Sequence, residues 1–472
     1  MPQRIFTSDD QLAFARLSGD YNPMHMDPVF ARRLLFGRQV VHGLHALLWS
    51  LDHYLKSYNR PLELKSVKAD FKTGIGVGQT VDCRYDIANK YNAEIHLASD
   101  GTPAAWFQVT LGTAGRKWDD DFPKAAGEQG VCRQQALGTV AGSSGNLALY
   151  LDRENLARLF PNLLRLLPPV QVAALLATTR LVGMECPGLH SIFSGLHLIY
   201  NPDETGSPEL GYRVATCNKQ LALVLMEVEG PGMKGRLKAF LRPQPHGQPG
   251  FPEVSGSVET DEFSKQHALI IGGSRGLGEI TAKLLAAGGA DVVITYFRGQ
   301  EDAQQIVDDI VSHGAQAVCH PLDVLQPPED ILCLTTGHFK PLYLYYFATP
   351  SIFGAARGEF SPRRFAGFVD YYVTGFLRTV QGLTSKASGL RKIFYPSSVA
   401  IDELPPDMGE YAAAKIAGET LCDFLQKTHS GLTIHKPRLP RIATDQTVSL
   451  LPVDNQDPVT VLLPHLRHLQ DL

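Results

Sequence analysis

The hydrophobic pattern of this chain changes once, near His267, and no single fold accommodates both patterns. Before that point, apolar and polar residues alternate in long runs separated by turns. "SVKADFKTGIGVGQTVDCRYDI" and "NAEIHLASDGTPAAWFQVTLG" have period two, as strands of a sheet with one solvated face do. After it, short β-branched and aromatic runs alternate with helical stretches. "HALIIGG", "DVVITYF", "AQAVCHPLDV", "LYLYYFAT", "RKIFYPSS" and "LTIHKPRL" read as strands of a parallel sheet with helices between them. A chain of 472 residues also exceeds what one core supports.

The part before His267 repeats itself. Residues 1–130 run from helix to strands, and residues 131–247 repeat that order, with "PPVQVAALLATTRLVGM" as an apolar helix. The ends "GTPAAWFQVTLG" and "GPGMKGRLKAFLRP" align. This predicts one helix wrapped by an antiparallel sheet, twice, with a period of roughly 120 residues. Residues 248–266, rich in Gly, Pro, Ser and acids, read as a linker, and 267–472 as an α/β domain.

Composition removes several classes. A formal net charge of −4 gives no electrostatic case for nucleic acid. The opening "MPQRIFTSDD" has no apolar h-region, so no signal peptide is expected. No apolar run is long enough for a membrane span. The 7 Cys are scattered without CxxC spacing, which predicts reduced thiols, a cytoplasmic setting and no metal site.

The stretch "SGDYNPMHMD" concentrates proton-handling groups. Gly19 can end the preceding helix, and Asn22-Pro23 forces a turn. Asp27-Pro28 starts a new helix with Asp27 as its cap. Asp20 and His25 therefore share a tight loop, where one can take a proton while the other gives one. Gly43 opens the helix in "VVHGLHALLWSLD", where its N–H can face a developing oxyanion. The bland reading is a polar loop with an incidental His, with His42 and His45 as packing residues.

"FARLSGDYNPMHMD" with "FGRQVVHG" resembles the MaoC-like (R)-specific enoyl-thioester hydratases and 3-hydroxyacyl dehydratases, which are hotdog folds. The resemblance implies Asp20 and His25 as the water-holding catalytic pair, Asn22 as a shaper of the turn and the Gly43 amide as the thioester-carbonyl donor. The second block lacks the motif and reads as the degenerate half of a double hotdog. Within "LVGMECPGLHSIFSG", Cys186 and His190 read as packing residues.

After His267, "HALIIGGSRGLGEITAKLL" is a strand, a glycine turn and a helix. Gly272, Ser274, Arg275, Gly276, Leu277 and Gly278 can bring a pyrophosphate to a helix N-terminus. No acid stands at Tyr296 or Phe297 for a ribose hydroxyl. Arg275 and Arg298 are present instead, which favours a 2′-phosphate, hence NADP(H), over a reading of Arg298 as a solvated loop residue. Tyr411 and Lys415 share a helix face, and Ser398 precedes them. A Lys ammonium there favours proton exchange between Tyr and a carbonyl or alcohol. The glycine turn and the Ser398, Tyr411, Lys415 set resemble the short-chain dehydrogenase/reductase family. That resemblance implies Asp323 and Val324 beside the adenine and Thr444 at the carboxamide. The chain departs from the family at Phe347-Ala348-Thr349, in place of Asn-Ala-Gly, and at Thr374, in place of an Asn that carries a proton relay.

The expected fold is thus an α+β double hotdog followed by an α/β Rossmann-type doubly wound parallel sheet. The expected function is NADPH-dependent reduction of a 3-oxoacyl thioester, then dehydration of the (R)-3-hydroxyacyl product, as in fatty-acid or polyketide-like synthesis. Neither part has a phosphopantetheine-bearing Ser motif, so an acyl carrier protein or CoA would hold the acyl group. A homodimer is left open. Two rivals stand. One is oxidative hydratase/3-hydroxyacyl-CoA dehydrogenase activity. The other is a working dehydratase with a non-catalytic nucleotide-binding scaffold.

Overall fold

The computed structural model describes residues 1–114, 130–201, 207–326, 340–352, 358–384, 389–449 and 453–472. The chain divides into two compact units, Met1–Gln244 and Pro245–Val448 with Val453–Leu472.

The first unit is built on a 10-stranded antiparallel sheet. One half runs, in spatial order, Gln3–Ile5, Thr80–Asn89, Asn92–Ser99, Thr102–Thr113, Leu62–Phe71. The other runs outward from the seam as Ser191–Tyr200, Met233–Leu241, Leu223–Gly230, Glu209–Asn218, Ser144–Ala148. Numbered within its own half, each has the same strand order, so the internal repeat is visible as topology. The seam pairs Leu62–Phe71 with Ser191–Tyr200, from Ser66 opposite Ile199 to Asp70 opposite Gly195. Each half carries one buried apolar helix, Gly43–Leu55 and Pro169–Arg180, and the sheet curls around both in a single hydrophobic cluster. This is the double hotdog.

The second unit has a six-stranded sheet with every pairing parallel. Its order is Ala317–Pro321, Asp291–Tyr296, His267–Ile271, Tyr343–Tyr346, Lys392–Phe394, Thr433–His435. Strand order therefore reverses beside the first strand, where doubly wound sheets open a crevice at the carboxyl ends of their strands. Two apolar clusters cover its two faces.

The segment expected as a linker, 248–266, belongs to this unit's core. Phe251–Ser255 is helical, and Phe251, Val254 and Phe263 are buried. Composition misled because the apolar residues are few. They are spaced to pack on the helix Gly276–Ala287 and its end. The Phe263 ring comes within 2.5 Å of where a Cβ on Gly288 would sit, so Gly288 is what leaves room for it. Phe263→Ala should therefore lower the stability of the second unit by about 3–5 kcal/mol, as a core cavity does. Urea unfolding followed by near-ultraviolet dichroism checks this, and a cost within about 0.5 kcal/mol is what a true linker residue would give.

Candidate functional site

In the first unit, the opening helix Ser8–Ser18 is fixed at its start by a Thr7/Asp10 capping box. It stops at Gly19, left-handed at φ 75°. Asn22 then caps the turn Pro23–Met26, accepting Met24 N–H, while Asp27 accepts Val29 and Phe30 N–H. Asp27 is exposed and faces solvent, as a cap does. Asp20 and His25 are buried.

The turn brings three groups together. The Asp20 carboxylate and one ring nitrogen each of His25 and His42 lie within 4.8 Å of one another. His25 Nδ1 donates to the Val40 carbonyl at 2.8 Å, which leaves its Nε2 with a lone pair. His42 stacks on His25 at 3.8 Å between ring centroids. His42 Nε2 donates to the Asp20 main-chain carbonyl at 3.0 Å, and its Nδ1 lies 3.0 Å from Gln11 Oε1. His42 Nε2 is thus committed to the Asp20 carbonyl and its Nδ1 is turned toward Gln11, so the groups left for chemistry are the Asp20 carboxylate and His25 Nε2. Burial dominates the electrostatics. It raises the Asp20 pKa against the opposing pull of His25, Thr179 and Asn22, and lowers that of His25 against the pull of Asp20. Each group is biased toward its uncharged form.

A cleft opens on this pair. Gly43, at the first position of the helix Gly43–Leu55, also lines it. The second half contributes directly. Thr179 Oγ1 donates to Asp20 Oδ2 at 2.6 Å, and Asn22 Nδ2 donates to the Gly183 carbonyl at 2.9 Å. A Cβ on Gly183 would stand 2.3 Å from Asp20 Oδ1, so only glycine fits there. Sequence reading missed Thr179, Gly183 and Gln11, and ranked His42 as packing. The glycine in "TTRLVGMEC" was the available signal. His45 is the packing residue of the pair. It stacks on Phe14 at 4.6 Å, and burial drives its pKa down to about 3. Cys186 and His190 are buried and lie outside the cleft lining.

In the second unit, the glycine turn follows the strand His267–Ile271 and leads into the helix Gly276–Ala287. Gly272 and Gly276 have φ 79° and 57°. A Cβ on Gly278 would lie 2.3 Å from the Gly272 carbonyl oxygen, so the helix start packs on the turn as a dinucleotide cradle requires. Ser274 is buried in the turn, beside Leu277. Thr444 stands against Gly276, its methyl 3.7 Å from where a Cβ would be. Asp323 accepts Leu325 N–H, and Val324 packs on Gly375. Arg298 is exposed after the strand Asp291–Tyr296, its guanidinium 5.1 Å from the Phe297 ring centroid. Arg275, expected beside a 2′-phosphate, instead forms an ion pair with buried Asp445 at 2.8 Å.

The Ser398 hydroxyl lies near Tyr411, and Lys415 Nζ donates to the Pro396 carbonyl at 2.7 Å. Burial raises the Tyr411 pKa to about 12, with Ser398 opposing, and lowers that of Lys415 to about 7. Phe347, Ala348 and Thr349 run past the glycine turn, where Phe347 and Ala348 contact Gly272.

Comparison with known proteins finds a family match in each unit. A model of the MaoC-like domain matches residues 2–98, and one of the short chain dehydrogenases matches residues 266–435. A 3-oxoacyl-[acyl-carrier-protein] reductase of Synechocystis sp. is 31% identical over 44% of this chain and 85% of its own length. A peroxisomal multifunctional enzyme type 2 of Drosophila melanogaster is 42% identical over 16% of this chain and 13% of its own. A peroxisomal hydratase-dehydrogenase-epimerase of Saccharomyces cerevisiae is 34% identical over 20% and 12%. The chain thus covers only a small fraction of those multifunctional relatives. A short chain dehydrogenase structure from Shigella flexneri, complexed with NADP, is 20% identical with a TM-score of 0.41, covering 45% of this chain and 93% of that one.

The close fit at Gly183 generates a prediction. Gly183→Ala should push the helix end off Asp20 and cost about 1–3 kcal/mol, as overpacking does. Thermal unfolding checks it, and an unchanged midpoint would show that the carboxylate has room the structure denies it.

Proposed function

The chain carries a MaoC-like domain at its N-terminus and belongs, through its C-terminal region, to the short-chain dehydrogenase family, and from that premise we propose a bifunctional acyl-thioester enzyme. On this reading the second unit reduces a 3-oxoacyl thioester with NADPH. The first unit then removes water from the resulting (R)-3-hydroxyacyl thioester. The observation that carries the reading is the buried Asp20 and His25 pair, biased toward its uncharged forms, at the wall of an open cleft.

The dehydration step follows from that bias. His25 Nε2, a free base because Nδ1–H is spent on Val40, takes the C2 proton of the acyl group. Asp20, whose pKa burial raises, gives its proton to the C3 hydroxyl, which leaves as water. Negative charge gathers on the thioester oxygen in between, and the Gly43 N–H at a helix start is the proposed donor to it. Thr179 positions the carboxylate. The ion pair left behind resets by returning the proton from His25 to Asp20. In the hydration direction the same steps run backwards.

In the second unit the turn from Gly272 to Gly278 with Ser274 and Leu277 fits a nicotinamide dinucleotide, which when bound supplies the hydride. Asp323, Val324 and Thr444 are the proposed adenine and carboxamide contacts. Arg298, exposed after the second strand, supports NADP(H) on charge, while Arg275 is diverted to Asp445. Tyr411 is the proposed proton donor to the reduced carbonyl oxygen, Ser398 its hydrogen-bonding partner, and Lys415 the charge beside it. The oxidative alternative keeps the same residues and reverses both steps. The peroxisomal names of the multifunctional relatives favour that alternative for those proteins. Acyl carrier protein or CoA, a homodimer and a cytoplasmic location complete the proposal.

Incubation of the protein with NADPH and 3-oxoacyl thioesters on both carriers, with mass analysis, tests the sequence of steps. Wild type should give the 2-enoyl product. Asp20→Asn should stop at the 3-hydroxyacyl thioester, and Tyr411→Phe should leave the 3-oxo substrate, each slowed at least about 100-fold. NADH preferred over NADPH with net oxidation would sink the reductive reading, and nucleotide binding without turnover would favour the scaffold.

A pH limb is also expected. Lys415 acts as a cation and titrates near 7, so reduction should be full on the acid side and fall as pH rises through about 7. A rate flat from pH 6 to 9 would contradict a titrating Lys415.

A further inference from the structure

Lys415 keeps unusual company for a buried ammonium. It has three donors, and one of them reaches the Pro396 carbonyl at 2.7 Å. Glu419, one helical turn on, is committed elsewhere. It accepts from Arg438 Nε at 2.9 Å, from Arg438 Nη2 at 2.8 Å and from the Ser397 hydroxyl at 2.5 Å. What surrounds the ammonium is aromatic. Lys415 Nζ lies 3.9 Å from the ring centroid of Tyr372, 5.1 Å from that of Tyr395 and 5.8 Å from that of Tyr411.

Tyr372 is the nearest ring and is held from several sides. Its hydroxyl contacts Thr349 Oγ1 at 2.5 Å, and its ring stacks on Phe368 at 5.8 Å. Its carbonyl accepts the Tyr395 hydroxyl at 3.1 Å. It sits on the π-helical turn Asp370–Gly375, two residues before Thr374, on the same turn as the side chain that departs from the family's pattern. Thr349, which anchors its hydroxyl, belongs to the other departure. One departure, at Thr349, thus touches this residue directly, and the other, at Thr374, shares its helical turn.

We propose that Tyr372 is a positioning residue whose ring face holds the Lys415 ammonium beside Tyr411 and keeps it charged. The role a polar side chain at position 374 would otherwise serve is thereby moved to an aromatic face. An aromatic face attracts a desolvated cation without needing a hydrogen-bond acceptor, which suits an ammonium with so few of them. The proposal rests on the reading of Tyr411 and Lys415 as the proton-handling pair.

The groups facing Lys415 are Tyr411, Glu419 and Cys422 from its own helix, Tyr372 from the π-helical turn and Tyr395 from the segment after Lys392–Phe394. Burial raises the tyrosine and cysteine pKa values, and Arg438 lowers that of Glu419. Lys415 is thus the group among them that titrates near neutrality. Its folded pKa lies below its unfolded one, so the charged form costs stability at low pH and the cost is relieved as pH rises through the window above 7.

A double-mutant cycle on the full chain tests this, with Tyr372→Leu and Lys415→Met unfolded at pH 6 and pH 8.5. Tyr372→Leu should lower the midpoint more at pH 6 than at pH 8.5, and that difference should vanish in the Lys415→Met background. Tyr372→Phe, which keeps the ring, should follow wild type at both pH values. Equal losses at both pH values and in both backgrounds would overturn the proposal. Tyr372→Met serves if the leucine variant does not fold. In turnover, Tyr372→Leu should cut kcat at pH 7 about fivefold and move the alkaline limb down by about one unit, with KM for the thioester nearly unchanged. If wild type reduces no 3-oxoacyl thioester, the functional reading falls, and the unfolding cycle still decides the role of Tyr372.

Discussion

A buried carboxylate must be surrounded by donors, and Asp20 finds its donor on a helix 159 residues away in sequence. Much of the first unit's design follows from that contact. Thr179 and Gly183 can reach Asp20 because the two half-sheets join edge to edge at a fixed register. A slip of one residue would turn every side chain of the seam strand to the opposite face. The motif-bearing half therefore has a complete site only with the half that lacks the motif. The second half does more than lengthen the cleft. It supplies a hydroxyl, a glycine that admits the carboxylate and a carbonyl that ties down Asn22.

What the sequence disclosed and what it hid divide by range. The turn from Gly19 to Pro28 was legible because caps, a left-handed glycine and Asn-Pro act over a few residues, and Asp27 was correctly separated from Asp20 on that basis. The parallel sheet was legible from its β-branched runs. Thr179 was not, because a threonine in an apolar helix looks like any other until the partner across the fold is known. His42 was undervalued for the same reason, since its value lies in Gln11 and the Asp20 carbonyl. The ion pair of Arg275 with Asp445, 170 residues on, was likewise out of view. The segment 248–266 was misread because Gly, Pro and Ser dominate its composition, whereas three buried apolar residues decide its packing.

The two sites share a physical strategy. In each, desolvation outweighs the neighbouring charges and pushes the ionisable groups toward neutrality. In the first unit this biases an acid toward holding its proton and a base toward lacking one, side by side. In the second it leaves a phenol that holds its proton and an ammonium close to losing its own. The first pair is held by directed hydrogen bonds, the second largely by aromatic faces, which constrain position but not proton direction.

That contrast bears on the direction of the proposed chemistry. Tyr411, with a pKa raised to about 12, is a phenol throughout the neutral range and is ready to protonate the alkoxide formed when a carbonyl accepts hydride. Oxidation would need the phenolate first, which a Tyr411 pKa of about 12 leaves scarce near neutrality. The pair is therefore better prepared for reduction. Reduction at C3 creates a hydroxyl β to a thioester, where the carbonyl makes the C2–H acidic and the hydroxyl a leaving group once protonated. Those are the two needs that a neutral Asp20 and a neutral His25 meet. On the proposed function, the product of one unit presents the reactive groups that the other is electrostatically prepared to use.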